Sequence, residues 1–228
     1  MKTLLELVAL NRFGGANCPD DLRILLTDGI ELLKDLNVEV SGDPSWKPWA
    51  DKSYLTESDL ANPDIAANVR AIDDTFRHID LFARTDDETF IGYWRGPQRE
   101  PIRSSPLVSY DSEGQFALCG SRFVEALFSV IFDDEALARF RASCSELGIV
   151  LSFDSLDDII SPALKPDPME YHLARYYAYK NEVELRPFFS ACATARSGVG
   201  HFAGALAVFI GARAAGGAIP VLRCDPWK

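Results

Sequence analysis

The sequence predicts an α+β fold: an antiparallel meander sheet packed against helices, with a mainly helical C-terminal extension. Three observations carry that reading. Apolar residues recur at helical spacing up to Phe76 and again after Gly120. Between His78 and Leu118 the period shortens to that of strands, and the connecting stretches are the size of turns. Strands joined by short turns pair antiparallel with their sequence neighbours, and segregated runs of strands and helices mark an α+β layout.

The elements follow in order. Leu4, Leu5, Val8 and Leu10 share a helical spacing that ends at Gly14-Gly15. Pro19, Asp20 and Asp21 open a second helix carrying Leu22, Leu25 and Leu26, because proline and acids suit a first turn whose N–H groups lack partners. Asp43 to Ala50 is a proline loop with Trp46 and Trp49 as anchors. Thr56 and Asp59 have capping-box spacing, and the helix from Leu60 to Phe76 is interrupted near Pro63. His78–Ala83 and Phe90–Trp94 read as strands around an Asp86-Asp87 turn. Leu107–Tyr110 and Phe116–Leu118 form a hairpin across Asp111–Gly114. Phe123, Leu127, Val130 and Ile131 share a helix face; Leu137, Phe140, Cys144 and Leu147 share another. Ile149 to Phe153 reads as a short strand, followed by a proline-rich linker and helical segments.

Composition excludes several function classes. The chain has 228 residues, 34 acids, 23 bases and a net charge of −11. Such a surface repels phosphate backbones and anionic lipid, so neither direct nucleic-acid binding nor membrane association is expected. From Asp28 to Glu88 there are fifteen acids and six bases, which makes either a solvated face or a surface that steers a basic partner. Cys18, Cys119, Cys144, Cys192 and Cys224 are odd in number and lack CxxC spacing, which fits reduced thiols and a cytoplasmic location. Glu6 interrupts the first apolar run, so an amphipathic helix is expected there rather than an export signal. Gly198 to Ile219 is rich in small and apolar residues, but His201 and Arg213 lie inside it, and a buried helix is the expected form.

Several short blocks, in order, resemble the SUKH superfamily. They are Pro19-Asp20-Asp21-Leu22-Arg23, Phe82-Ala83-Arg84 before Asp86-Asp87, Phe90-Ile91-Gly92-Tyr93-Trp94, Pro106-Leu107-Val108, and Asp111-Ser112-Glu113-Gly114-Gln115-Phe116. The likeness spans Cys18 to about Phe140. It implies a SUKH-like domain over residues 1–144 and an extension over 145–228 packed on the same core. Bacterial members of that superfamily resemble toxin-immunity proteins, and fungal ones regulate cell-wall synthesis. The resemblance therefore implies a non-catalytic binding protein whose partner is a cognate toxin encoded by a neighbouring gene. A regulatory adaptor and an enzyme with an unrecognised carboxylate site are the alternatives.

Gly92, Tyr93, Trp94, Asp111, Glu113 and Gly114 are expected to build the sheet. Gly92 permits close backbone approach, Tyr93 and Trp94 alternate faces with one at a rim, and Glu113 accepts backbone hydrogen bonds in its turn. The toxin-binding candidates are Asp73, Asp74, Asp86, Asp87, Glu88, Trp46 and Trp94, since an acidic surface with exposed aromatic anchors suits a basic, nucleic-acid-acting toxin. No catalytic residue, metal site or cofactor is expected. GxSxG, GxxxxGK[ST] and HExxH are missing from the sequence, and His78, His172 and His201 lack ligand spacing. Asp154, Asp157 and Asp158 read as acids at a helix start. Arg95, Arg99 and Arg103 read as a solvated loop, with anion binding the alternative.

Overall fold

The computed structural model describes residues 2–131 and 134–195. The chain divides into two compact units, Met1–Glu184 and Leu185–Lys228, and the architecture below, apart from the end of the last helix, belongs to the first. The small-residue segment Gly198 to Ile219, with His201, lies outside the described residues.

The sheet has five strands: β1 (Glu39–Val40), β2 (Ile79–Arg84), β3 (Phe90–Trp94), β4 (Leu107–Tyr110) and β5 (Phe116–Leu118). Their spatial order is their sequence order and every pairing is antiparallel, so the sheet is the expected meander. The helices are α1 (Leu4–Asn11), α2 (Asp20–Thr27), α3 (Ile30–Asp35), α4 (Glu57–Ala61), α5 (Pro63–Phe76), α6 (Phe123–Ser129), α7 (Asp134–Glu146) and α8 (Pro168–Ala195). Asn62 ends α4 and caps α5, accepting a hydrogen bond from the Asp64 amide, and Pro63 takes the first position of α5, where its missing N–H costs nothing. That proline therefore divides two helices rather than breaking one.

Helices cover both faces of the sheet. One face buries Phe82, Ile91, Tyr93 and Leu107 against α1, α2, α3, α6 and α7 through Val8, Leu22, Leu25, Leu33, Phe123, Leu127 and Phe140. The other buries Ile79, Leu81, Trp94, Val108 and Phe116 beneath Ile72 and Phe76 of α5 and Met169 and Tyr171 of α8. Rings join the first layer: Phe82 stacks on Tyr93 at 5.6 Å, and Phe13 and Phe123 meet this pair edge-on. A bulge in β2 sets the register. Leu81 pairs with Gly92 and Ala83 with Ile91, leaving Phe82 as the extra residue, so Phe82 and Ala83 both reach the same core despite being adjacent.

Gly92 sits where the neighbouring strand is closest. A Cβ there would lie 2.7 Å from the Leu81 Cα and 2.8 Å from the Asp80 carbonyl oxygen. Backbone cannot retreat as a flexible side chain can, so Gly92→Ala is expected to destabilise the fold by about 2–3 kcal/mol, read from urea midpoints.

The first unit continues past Cys144. Ile149 and Phe153 belong to the same core as Phe82, Tyr179 of α8 packs on Ala67 and Ala71 of α5, and Trp94 donates to the Pro166 carbonyl at 3.0 Å. Three sequence expectations change. Ile149 to Phe153 is not a strand; its carbonyls accept from arginine side chains instead of a ladder, Arg122 to Val150 at 2.8 Å and Arg141 to Phe153 at 3.3 Å. Tyr93 and Trp94 do alternate faces, yet both are 0% exposed, because helices cover each face. In the β4–β5 turn the Gln115 amide donates to Asp111 at 2.9 Å, whereas Glu113 receives only the Gln115 side chain at 3.4 Å. Gly114 takes the left-handed conformation that this turn requires, with φ +80°.

Buried polar groups tie the layers together. Asp21 of α2 accepts from the Val124 amide of α6 at 3.2 Å, and burial pushes its carboxyl above the ordinary range against the pull of that bond. Glu125 receives the Ser121 and Arg122 amides at 2.7 and 3.0 Å. Burial raises the thiols of Cys18, Cys119 and Cys144 to about 11, 12 and 11, so all three are protonated core residues. Among the described residues, no helix is long and apolar enough to cross a membrane.

Candidate functional site

The seven residues expected to contact a partner separate into three places. Asp86, Asp87 and Glu88 form the exposed turn between β2 and β3. Glu88 is left-handed at φ +64°, which closes that turn in few residues. Asp87 holds it from within: its carboxylate accepts from the Thr85 hydroxyl and, at 3.2 Å, from the Thr89 amide. Burial acts against the Asp87 charge, but these bonds outweigh it and hold the carboxyl below its usual value. Asp87 is thus a turn-building residue, while Asp86 and Glu88 are free to face a partner.

Further acids extend this turn into an edge. β1 is the outermost strand, and Glu39 pairs in register with Arg84, two residues before Asp86. Asn37, just before β1, donates to the Asp86 carboxylate at 3.4 Å. Arg84 binds Glu39 at 2.8 Å. The edge presents Glu39, Asp86, Asp87 and Glu88 beside Arg84.

Trp46 borders the same edge. Its indole N–H donates to Glu39 at 2.8 Å, and its ring meets Trp49 edge-on at 5.5 Å. Arg12 holds the loop from beneath. Its guanidinium lies 5.2 Å from the Trp46 ring, donates to the Ser41 and Trp46 carbonyls at 3.0 and 2.9 Å, and also reaches the Asp43 carbonyl. The indole is therefore half-buried and pre-positioned.

Asp73, Asp74 and Trp94 lie elsewhere. Asp73 on α5 pairs with Lys52. Asp74 is buried, its side chain 10% exposed, and receives Arg77 at 2.7 Å, Arg175 at 2.8 Å and the Tyr179 hydroxyl. Burial opposes its charge, but the bonds from Tyr179 and Arg175 prevail and hold the carboxyl low. Trp94 is core. Asp74 and Trp94 are thus corrected from partner contacts to internal supports: sequence shows an acid and an aromatic in polar surroundings, but not the α8 side chains that cover them.

A cluster of titratable groups lies at the opposite end of β2 from the acidic turn. Asp80, 6% exposed, accepts from Arg95 at 2.5 Å and Arg99 at 2.9 Å. Next to it His78 meets the Tyr171 hydroxyl at 3.0 Å. Burial lowers the His78 pKa, and Arg99, Arg77 and Arg175 lower it further, with Asp74 pulling the other way. The solvated loop expected of Arg95 and Arg99 is an ion-pair network with a buried centre. Asp157 and Asp158 have the helix-start role expected of them, in the short 3-10 helix Leu156–Asp158, where Asp158 accepts the Ser155 amide at 2.9 Å; Asp154 lies before that helix's cap, Ser155. A cavity of about 350 Å³ runs between α1 and α2, past Glu6, Cys18, Arg23 and Arg103.

Sequence reasoning missed Arg12, Glu39, Arg77 and Arg175. Arg12, Glu39 and Arg175 act on residues far along the chain, Arg12 on 41–46, Glu39 on Arg84 and Arg175 on Asp74, and no local spacing announces such pairs; Arg77 lies three residues from Asp74, a helical spacing that could have announced it. Compared with known proteins, the chain matches no family model, no curated protein and no solved structure.

Proposed function

We propose that this chain is a SUKH-type immunity protein: it binds a cognate toxin, a basic nuclease or other nucleic-acid-acting effector encoded by a neighbouring gene, and blocks it stoichiometrically in the cytoplasm. The observation that carries the reading is the acidic edge formed by β1 and the β2–β3 turn, with Trp46 fastened beside it. A groove built to receive a phosphodiester backbone is lined with cations, and carboxylates spaced along an edge complement it. The same field speeds encounter. Trp46 supplies the rigid aromatic anchor on which interface energy concentrates, and its clamp by Arg12 reduces the ordering cost of binding.

The arrangement of the motif residues supports this division of labour. Gly92, Tyr93 and Trp94 are internal to the sheet and maintain the scaffold, so recognition falls to the exposed turn and edge. The ionisable cluster around Asp74 and Asp80 is occupied by mutual ion pairs.

Co-expression with the product of the adjacent gene tests the proposal. The neighbour alone is expected to arrest growth; this chain, added in trans, restores growth and co-purifies at one-to-one stoichiometry. A harmless neighbour, or one that kills despite this chain, contradicts the reading.

A further inference from the structure

The end of β2 opposite the acidic turn carries charge of the other sign. Arg77, Arg95, Arg99 and Arg175 gather there and pair with two carboxylates, Asp74 and Asp80. In a chain of net charge −11, four guanidiniums sharing two aspartates are not what solubility asks for. Nearby Arg70 is already paired with Glu182.

The layering of the cluster is the informative part. Both carboxylates lie underneath, with side chains 10% and 6% exposed, while the side chains of Arg77, Arg99 and Arg175 are 74%, 50% and 37% exposed. Arg77 and Arg175 share Asp74, and Arg99 donates to the Arg77 carbonyl at 3.3 Å while bonding Asp80. Three guanidiniums are thereby held at one corner, oriented from below by acids that their own bonds saturate. Arg77 makes one side-chain bond, to Asp74, and its remaining N–H groups meet no protein acceptor among the described residues. Oriented guanidinium forks with unused donors match the oxygens of a tetrahedral oxyanion, and such pairs are bidentate and charge-assisted.

We propose that Arg77, Arg99 and Arg175, oriented by Asp74 and Asp80, form a binding site for a dianionic phosphate group. The acidic remainder of the surface repels an extended polyanion, which favours a discrete phosphate over a nucleic acid. Burial is the first cause of the depressed His78 pKa, and the positive charge of all three arginines adds to it. This site stands apart from the toxin-facing edge and does not rest on the immunity reading.

Thermal unfolding of the whole chain, titrated with inorganic phosphate or phosphoserine against sodium chloride of equal ionic strength, tests it. The expected result is a saturable rise of about 2–4 °C with phosphate and none with chloride. Arg77→Ala should move the phosphate midpoint about tenfold or more upward, since it removes a charge-assisted bond. Arg139→Ala, on exposed α7, should leave that midpoint in place. Each shift is read against the same variant without phosphate, so lost stability cannot imitate lost binding. Response to inorganic phosphate alone identifies the free ion as ligand; response to both probes identifies a phosphomonoester. Equal effects of phosphate and chloride, or an Arg77→Ala midpoint identical to wild type, overturns the proposal.

Discussion

Replacing Trp94 by alanine is expected to cost about 3–5 kcal/mol of stability while leaving partner affinity, measured where the variant is still folded, unchanged. The indole is 0% exposed and packs between His78 and Tyr171, with ring centroids at 6.1 and 5.7 Å. Its N–H donates to the Pro166 carbonyl, so truncation both opens a cavity and removes a donor from a part-buried acceptor. Trp94→Phe separates these effects, since it keeps most of the ring volume and loses only the donor; it is expected to cost about 1–2 kcal/mol. Urea unfolding gives the stabilities. A Trp94→Ala variant of near wild-type stability would show that the ring is not core.

The second large effect concerns Asp74. Asp74→Ala strips Arg77, Arg175 and the Tyr179 hydroxyl of their shared acceptor, and is expected to cost about 3 kcal/mol at neutral pH. Its pH dependence has a definite sign. The folded Asp74 carboxyl lies below the ordinary value, so its contribution is fully present above about pH 4 and is lost as pH falls through the folded value. The gap between wild type and Asp74→Ala therefore narrows below about pH 4. His78 acts in a higher window. Its folded pKa is also lowered, so the unfolded chain takes up the proton first and stability declines as pH drops from about 6.5 toward the folded value. Urea midpoints at pH 7, 5 and 3 for wild type and Asp74→Ala check both windows. A gap that is constant with pH contradicts the assignment of Asp74 as an ionised hub.

The meander was legible because its signals are local. Strand period, the Asp86-Asp87 and Asp111–Gly114 turns, and the glycine at the sheet centre all act within a few residues. The short edge strand β1 and helix α3 were not legible. Glu39–Val40 is too short to show a period, and it is a strand only because Arg84 and Ala83 lie opposite. Ile149 to Phe153 misled for the converse reason: its composition is that of a buried strand, but it meets arginine side chains rather than a strand edge. The candidate surface was half legible. Sequence located the acidic turn and Trp46, yet it treated Asp86, Asp87 and Glu88 alike. Only the bonds from Thr85 and Thr89 separate the structural Asp87 from its neighbours.

That separation decides which substitutions test recognition. Reversing Asp87 would damage the turn and confuse folding with binding, whereas Asp86 and Glu88 are exposed and make little internal structure. The most direct measurement of the central claim is the association rate of the proposed toxin partner with wild type and with Asp86→Lys/Glu88→Lys, followed by stopped-flow fluorescence across a salt series. If the acidic edge steers a basic partner, the wild-type rate falls steeply with salt. The double variant should associate about tenfold or more slowly at low salt and show a flatter dependence. Equal rates and equal salt slopes for the two proteins would contradict the account.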